Sequence, residues 1–160
     1  MTVRIGQGFD VHPFDADASG PLRLGGVEFP EATPLRGHSD ADVVTHAVID
    51  ALLGAAGLGD IGTHFSDADP RWRDADSIGL LAQAVTMVRA AGWQPGNVDC
   101  TVITEAPKVA PRRAEIEDRL SATVGAPVSV KAKRAEGLGA IGRGEGIACF
   151  AVAIVSNGAA

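Results

Sequence analysis

The chain has 160 residues and a formal net charge of −6, a length typical of one compact domain with a hydrophobic core. This acidic balance argues against a nucleic-acid-binding surface, which would be basic. No apolar run approaches membrane-spanning length, and the N-terminus lacks the apolar core of a signal peptide. Cys100 and Cys149 lie too far apart to form a metal or redox motif. We therefore expect a single domain over residues 1–160, with reduced thiols, in the cytoplasm.

The first half of the chain predicts a strand, a hairpin and a helix. The strand covers residues 2–10, and a hairpin-like segment follows around residues 22–28. Apolar residues at helical spacing predict a helix over about 40–56, ended by Gly57 and Gly59. Ser39 and Asp42 give this helix a start that resembles a capping box. An Asp- and Gly-rich loop is expected over residues 59–70.

The second half of the chain alternates helices and strands. We predict a helix over 77–91, a strand over 97–104, a helix from Pro111 to near Val124, and strands over 128–131 and 146–155. This order predicts an α/β fold: a two-layer single domain with a mixed β-sheet and helices on one face. The last strand is apolar on both faces, so we expect a partner to cover its outer face.

Three residues predict a metal site. Asp10 and His12 are two apart in a strand and point to the same side, and His46 follows on a helix. Three protein ligands leave one tetrahedral position open, as in catalytic zinc sites. Asp50 is one helical turn after His46 and is predicted to hold its second ring nitrogen. The alternative is a half-buried histidine satisfied by its helix neighbour, but the local excess of acidic residues favours a cation site.

Four segments carry a resemblance to a known family. They are RIGQGFDVHPF, LGGVEFP, GHSDADVVTHAVIDALLGAAGLGDIGTHFSDADP and GRGEGIACFAVAIV, and together they run from Arg4 to about Val155. They resemble the 2-C-methyl-D-erythritol 2,4-cyclodiphosphate synthases of the non-mevalonate isoprenoid route. That family converts 4-diphosphocytidyl-2-C-methyl-D-erythritol 2-phosphate into the cyclic diphosphate and releases CMP, which makes it a phosphorus-oxygen lyase.

The resemblance implies two metal ions and no protein nucleophile. One zinc ion per subunit would bind Asp10, His12 and His46 and polarise the β-phosphate. A second divalent ion, Mg²⁺ or Mn²⁺, would bind Glu136 and bridge the two phosphates of the nucleotide. The 2-phosphate of the substrate itself attacks the β-phosphorus, so the enzyme has to hold an in-line geometry. The catalytic residues implied for this chain are His38 and Arg134.

The substrate-binding residues of the family fall in five segments of this chain and at Arg143. Residues near the predicted zinc would position phosphate and the methylerythritol, and residues 104–110 would hold the cytosine. Without the resemblance, residues 104–113 could be a plain strand-to-helix connection with a solvated Lys108, and the glycine-rich segment 131–146 could be a hairpin. The full set is Asp10, His12, His38, Ser39, Asp60, Ile61, Gly62, Phe65, Ser66, Asp67, Ala68, Asp69, Thr104, Glu105, Ala106, Pro107, Lys108, Val109, Ala110, Lys133, Arg134, Ala135, Glu136 and Arg143.

The resemblance also implies an assembly. Family members form a homotrimer whose sheets pack about the threefold axis, with active sites between subunits. The central cavity of such a trimer is a possible site for an isoprenoid diphosphate.

The chain departs from the family pattern at three places. Lys133, Arg134 and Ala135 stand where three threonines are common, and one of those threonines contacts a phosphate. Arg134 offers two parallel donors to phosphate oxygens and is predicted to take over this contact; the alternative is that it points to solvent. Ser66 and Ala68 replace a proline and a threonine, and Ala140 replaces a frequent aromatic residue.

Two other function classes remain compatible with these residues. A metallohydrolase would use the same zinc to activate water and cleave a nucleotide diphosphate, giving no cyclic product. A non-catalytic isoprenoid-diphosphate binder would use the apolar centre of an oligomer and would bind without zinc.

Overall fold

The computed structural model describes residues 1–158. It contains a four-stranded sheet, a short hairpin, three helices of at least twelve residues and two helices of a single turn. In chain order the elements are β1 (Val3–Pro13), β2 (Leu22–Leu24), β3 (Val27–Phe29), α1 (Val43–Ala56), α2 (Ile61–His64), α3 (Ser77–Ala90), β4 (Gln94–Ile103), α4 (Arg113–Val124), β5 (Val128–Lys133), α5 (Gly139–Gly142) and β6 (Gly146–Ser156).

The sheet is mixed, as predicted. Its strand order is β1-β6-β4-β5, with antiparallel pairing of β6 to both β1 and β4 and parallel pairing of β4 to β5. The parallel pair requires a crossover, and α4 supplies it. The strands β2 and β3 form a separate antiparallel hairpin.

The helices cover one face of the sheet, so the predicted two-layer arrangement is confirmed. α1 packs on β1 and β6, α4 packs on β5, and α3 lies against both α1 and α4. Alternate residues of each strand point into this layer and form the core. The opposite face of β1 and β6, called the outer face below, exposes large apolar side chains: Val3, Ile5, Phe9, Val11, Phe150 and Val152.

Helix α1 lies unusually close to strand β1 because β1 carries glycines where the helix passes over it. A Cβ atom added at Gly8 would lie 1.9 Å from the carbonyl oxygen of Ala47, and one at Gly6 would lie 2.1 Å from that of Ala51. Both distances are far shorter than a van der Waals contact between carbon and oxygen. This backbone-to-backbone approach places the helix and the strand close enough to share one site.

Helix α1 begins three residues later than predicted. Asp42 is the N-cap, and its wholly buried carboxylate accepts hydrogen bonds from the Val44 and Thr45 amides. The same carboxylate accepts from Gly25 and Gly26 of the β2–β3 turn, which ties the hairpin to the helix. The preceding residue, Ala41, has a left-handed φ of 56°, so it cannot belong to the helix.

The remaining predictions of secondary structure hold within a few residues. β1 continues to Pro13, β4 begins at Gln94, and β5 continues to Lys133. The predicted end of α1 is confirmed, because Gly57 adopts the left-handed conformation of a C-cap. The single-turn helices α2 and α5 lie in segments that the sequence predicted as loops. Within residues 1–158, no helix has both the length and the apolar character needed to cross a membrane.

Candidate active site

Three side chains from β1 and α1 converge on one point. Asp10 Oδ2 lies 3.0 Å from His12 Nε2 and 3.0 Å from His46 Nδ1, and the two histidine nitrogens lie 3.2 Å apart. Ligands of a tetrahedral zinc ion are separated by roughly 3.3 Å, given metal–ligand bonds of about 2.0–2.1 Å. The three donor atoms therefore have the spacing of a metal site, and we call Asp10, His12 and His46 the metal triad.

The positions of the protons on the metal triad also favour the binding of a cation. His12 Nδ1 lies 2.8 Å from the carbonyl oxygen of Arg36, which only accepts, so this nitrogen carries the proton. His12 Nε2 then directs a lone pair at the carboxylate of Asp10. Two acceptor atoms at hydrogen-bond distance need a positive charge between them, and a metal ion or a proton provides it.

In the absence of metal, protons take this role. Burial would raise the pKa of Asp10, but hydrogen bonds from His12 and His46 and their charges outweigh it and hold the pKa far below its usual range. Burial would likewise lower the pKa of His12, but its hydrogen bond to Asp10 and the charge of that carboxylate raise it above 6.5. A metal ion at this position would compete with protons for the same atoms.

The prediction that Asp50 holds the ring of His46 is wrong. Asp50 lies on α1 as expected, but its carboxylate accepts a hydrogen bond from the Ile61 amide at 2.7 Å, at the start of α2. Burial raises the pKa of this carboxyl group. The second ring nitrogen of His46 faces α3 instead, where Ser77 Oγ lies at 2.9 Å, with Ser39 Oγ at 3.0 Å. Spacing along one helix allows a contact but does not fix the direction of the ring.

The metal triad opens into a cavity of about 430 Å³. A larger cavity of about 510 Å³ lies beyond Ser39 and Asp40. The one group of three metal-ligating side chains found within residues 1–158 opens into the smaller cavity, so we place the active site there. It is lined by Asp10, His12, Gly37, His38, Ser39, His46, Ile61, Gly62, Phe65, Asp67, Trp72 and Leu80.

Nine of these twelve residues belong to the predicted site, and three were missed. Phe65 and Trp72 form a T-shaped aromatic pair with ring centroids 5.1 Å apart. Trp72 is one of only two tryptophans in the chain and follows the acidic loop directly, a signal that could have indicated it. Gly37 and Leu80 carried no such signal.

Several predicted residues of the same loop have structural contacts. Asp60 caps α2 by accepting from the Thr63 hydroxyl group at 2.6 Å and from the Thr63 amide at 2.8 Å, and these hydrogen bonds lower its pKa. The Asp69 carboxylate binds the Arg71 guanidinium, and its backbone oxygen lies 3.3 Å from His38 Nε2. Ser66 and Ala68 lie outside the residues that line the cavity.

The predicted nucleotide-binding residues form a second group, at the ends of β4 and β5. Glu105 organises it: one carboxylate oxygen accepts from Arg134 Nε at 3.0 Å, and the other accepts from the Ala135 amide at 2.9 Å. The hydrogen bond from Arg134, followed by those from the Ala135 and Gly137 amides, lowers the pKa of Glu105. Glu136 has a left-handed φ of 53° in this loop. A separate cavity of about 430 Å³ includes Ala106 and Pro107 in its lining.

The two groups lie at the same end of the sheet but at opposite edges. Val11 on β1 is in register with Ala148, which pairs with Ile103, which pairs with Lys133 on β5. Three strand spacings separate β1 from β5, or about 14 Å, and two separate β1 from β4, or about 10 Å. The cavity at the metal triad and the cavity that includes Ala106 and Pro107 have no lining residue in common.

The charge of the metal cavity is acidic. Asp10 and Asp67 line it, and among its lining residues, all within the described part of the chain, none is Lys or Arg. A phosphate ligand would need a positive charge from a metal ion or from another molecule. Lys108, Lys133 and Arg134 lie in the other group.

Comparison with known proteins gives consistent matches. A family model described as the YgbB family matches residues 3–156. A protein of Halorhodospira halophila named 2-C-methyl-D-erythritol 2,4-cyclodiphosphate synthase is 55% identical over 159 residues, which cover 97% of this chain and 96% of that protein. A Bordetella petrii protein of the same name is 54% identical over 160 residues, covering 98% of both.

Solved structures match the fold over nearly the whole chain. The IspF of Plasmodium falciparum in complex with CDP has a TM-score of 0.82 and 36% identity, and the match covers 96% of this chain and 95% of that one. The bifunctional IspDF of Campylobacter jejuni has a TM-score of 0.91 and 38% identity, with 96% of this chain matching 42% of that longer one.

Proposed function

Since the chain belongs to the YgbB family, we propose that it is a 2-C-methyl-D-erythritol 2,4-cyclodiphosphate synthase. It converts 4-diphosphocytidyl-2-C-methyl-D-erythritol 2-phosphate into the cyclic diphosphate and CMP, a lyase reaction of non-mevalonate isoprenoid biosynthesis. The observation that carries the proposal is the convergence of three donor atoms within 3.2 Å at the wall of a cavity of about 430 Å³.

The reaction needs positioning more than it needs a protein nucleophile. An oxygen of the 2-phosphate forms a bond to the β-phosphorus, and the bond from that phosphorus to the CMP oxygen breaks, with the electron pair leaving on CMP. The substrate supplies both reacting groups, so the protein contributes an in-line arrangement and charge neutralisation. His38 and Ser39, at the mouth of the metal site, are placed to bind the 2-phosphate or the β-phosphate.

We assign the metal triad to zinc and Glu136 to a second ion, Mg²⁺ or Mn²⁺. Two imidazoles and one carboxylate are a ligand set that suits zinc, and the fourth position stays open for a phosphate oxygen. When bound, zinc supplies Lewis-acid polarisation of the β-phosphate. The neutral imidazoles and the ionised Asp10 hold the ion, and the cavity wall of Gly62, Phe65 and Asp67 holds the methylerythritol.

We propose that the active site forms between subunits of a homotrimer. The acidic metal cavity needs the positive charges of the nucleotide-binding group, which in one chain lies about 10–14 Å away across the sheet. The outer face exposes Ile5 (69%), Phe9 (48%) and Val152 (44%), an apolar surface that suits burial between copies. Within such a trimer, residues 104–110 and 133–136 of one subunit, with Arg143, would bind the nucleotide beside the metal triad of the next.

Further parts of the proposal follow from the family. Residues 1–160 act as one domain, in the cytoplasm, in agreement with the free thiols of Cys100 and Cys149. An isoprenoid diphosphate is proposed for the central cavity of the trimer.

A product assay tests the function. The zinc-loaded protein is incubated with the 2-phosphorylated substrate and Mg²⁺, and the reaction is followed by phosphorus NMR. We expect the signals of a cyclic diphosphate and of CMP. Hydrolysis to two open-chain phosphates would replace the proposal with a metallohydrolase, and unaltered substrate would replace it with a binding protein.

Metal analysis tests the site separately. His46→Ala removes one of three ligands and is expected to lose zinc. Undiminished zinc in this variant would place the ion elsewhere.

A further inference from the structure

The ring of His46 is held from the side opposite the metal site. Its Nδ1 faces Asp10, and its Nε2 lies 2.9 Å from the hydroxyl oxygen of Ser77. Ser77 is the first residue of α3 and is wholly buried, and His46 is 7% exposed. The contact is therefore shielded from solvent.

The direction of this hydrogen bond follows from a third residue. Ser77 donates its hydroxyl hydrogen to Asp40 Oδ1, and its amide donates to Asp40 Oδ2 at 3.0 Å. A hydroxyl group has a single hydrogen, so once this is committed to a carboxylate the oxygen can only accept. The donor to Ser77 Oγ is then His46 Nε2–H. In a neutral imidazole the other ring nitrogen, Nδ1, then keeps its lone pair for a metal ion.

Asp40 is itself fixed in place. Its amide donates to the Ala75 carbonyl at 3.2 Å, and its second carboxylate oxygen lies 3.7 Å from Arg23 Nη1. Both carboxylate oxygens thus point toward α3 and Arg23. This arrangement keeps Asp40 an acceptor for Ser77.

We propose that Ser77 and Asp40 are positioning residues that hold His46 in the tautomer and the orientation required for metal binding. The inference rests on the proposed metal site and adds two residues that bind neither metal nor substrate. A ligating histidine commonly has such an outer partner, and losing it typically costs about 10- to 100-fold in metal affinity. Ser39, also near Nε2, lacks the tie to Asp40, so its hydroxyl can rotate.

Cobalt binding to the metal-free protein tests the proposal without using catalysis. Co²⁺ affinity is measured by chelator competition, and the visible absorption of bound Co²⁺ reports the ligand geometry. We expect Ser77→Ala to bind Co²⁺ about 10- to 100-fold more weakly, and Ser77→Thr, which keeps the hydroxyl, to recover most of the affinity. Ser121→Ala is the matched control, since it removes a serine that accepts from the Val128 amide far from the site.

Asp40→Asn provides a second test in case Ser77→Ala does not fold. The asparagine amide can donate to Ser77 Oγ, so the Ser77 hydroxyl hydrogen becomes free to bind His46 Nε2. This favours the tautomer of His46 that carries its proton on Nδ1, which cannot bind the metal through that nitrogen. We expect weaker Co²⁺ binding, and in nitrogen-15 NMR of labelled histidine a shift of the His46 proton from Nε2 to Nδ1.

The outcomes separate this proposal from the proposed function. Parent-like Co²⁺ affinity and spectra in both folded variants would overturn it, as would a parent protein that does not bind Co²⁺. Weakened Co²⁺ binding in the variants of a protein that makes no cyclic product would leave the positioning role standing and remove the synthase.

Discussion

Glu105 binds Arg134 through two nitrogens of the guanidinium group, with Nε and Nη2 each 3.0 Å from the same carboxylate oxygen. The other oxygen of Glu105 accepts from the backbone of the next residue in the loop. Arg134 is thus tied to the segment 104–110, which is proposed to bind the cytosine. Its remaining terminal nitrogen, Nη1, is available to a phosphate oxygen.

The first prediction concerns this arginine. Arg134→Ala removes a positive charge from the proposed phosphate site and the tie to Glu105, so we expect slower cyclisation with unchanged zinc content. Arg134→Thr restores the residue common in the family and should lose less activity than the alanine. Rates from the phosphorus NMR assay and zinc by metal analysis check this.

Glu105→Gln serves as the comparison. It keeps a hydrogen-bond acceptor for the loop amide but removes the charge, and because the ion pair is exposed we expect only about a two- to fivefold rise in KM for the nucleotide substrate. Equal activity in the parent, Arg134→Ala and Arg134→Thr would show that the side chain only faces solvent.

A second prediction concerns the close approach of α1 to β1. Gly8→Ala would place a methyl group 1.9 Å from a helix carbonyl, so the helix must move away. We expect a loss of about 3 kcal/mol in the free energy of unfolding and weaker metal binding, because the helix carries His46.

Gly54→Ala is the matched control for this prediction. The same substitution on α1 brings a Cβ no closer than 3.9 Å to the Gln7 carbonyl oxygen. It should stabilise the protein by about 0.5–1 kcal/mol, because alanine favours the helix. Denaturant unfolding of both variants gives the comparison, and similar stabilities would contradict the close contact.

A third prediction is that the stability of the metal-free protein and the extra stability provided by zinc change with pH in opposite directions. The folded-state pKa of His12 is raised above 6.5, so its contribution to stability is present below that value and is lost as the pH rises through the folded-state pKa. The metal-free protein should therefore lose stability as the pH rises above neutrality. Asp10, whose pKa is lowered, stays ionised throughout this range.

Zinc affinity should instead rise with pH, because the ion has to displace the proton from His12. Between about pH 6 and about pH 8.5, we expect the melting temperature of the metal-free protein to fall and the increase caused by zinc to grow. Thermal melts with and without zinc at both pH values test this. Parallel curves would mean that His12 does not exchange a proton for the metal.

The fourth prediction addresses assembly. Phe9 and Phe150 pack together on the outer face with ring centroids 4.8 Å apart, and Phe150 is 38% exposed. A charge buried between subunits is strongly unfavourable, so Phe150→Asp should convert the proposed trimer to a monomer and abolish activity while zinc binding persists. Light scattering gives the mass, and Gln83→Asp on the exposed side of α3 is the control.

Periodicity explains why much of the metal triad could be predicted from sequence. The alternation of a strand places Asp10 and His12 on one side, and the apolar pattern of α1 gives the helix that carries His46. Those signals are local. The contact between Ser77 and Asp40 joins residues 37 positions apart, and nothing local indicates it. The error at Asp50 has the same origin, since the spacing from His46 is correct but the amide of Ile61 competes successfully for the carboxylate.

Ala41, which has a left-handed φ, lies between Asp40 and Asp42, and the carboxylates of these two residues bind different parts of the structure. Asp42 binds the turn of the hairpin and the first amides of α1, whereas Asp40 points the other way, to Ser77. A molecule whose hairpin has not docked lacks the partners that fix Asp42, and with them the backbone that presents Asp40. Such a molecule would hold the ring of His46 less firmly, because Asp40 acts on it through Ser77. The hairpin, which supplies no ligand, would therefore still influence how firmly the proposed site holds a metal ion.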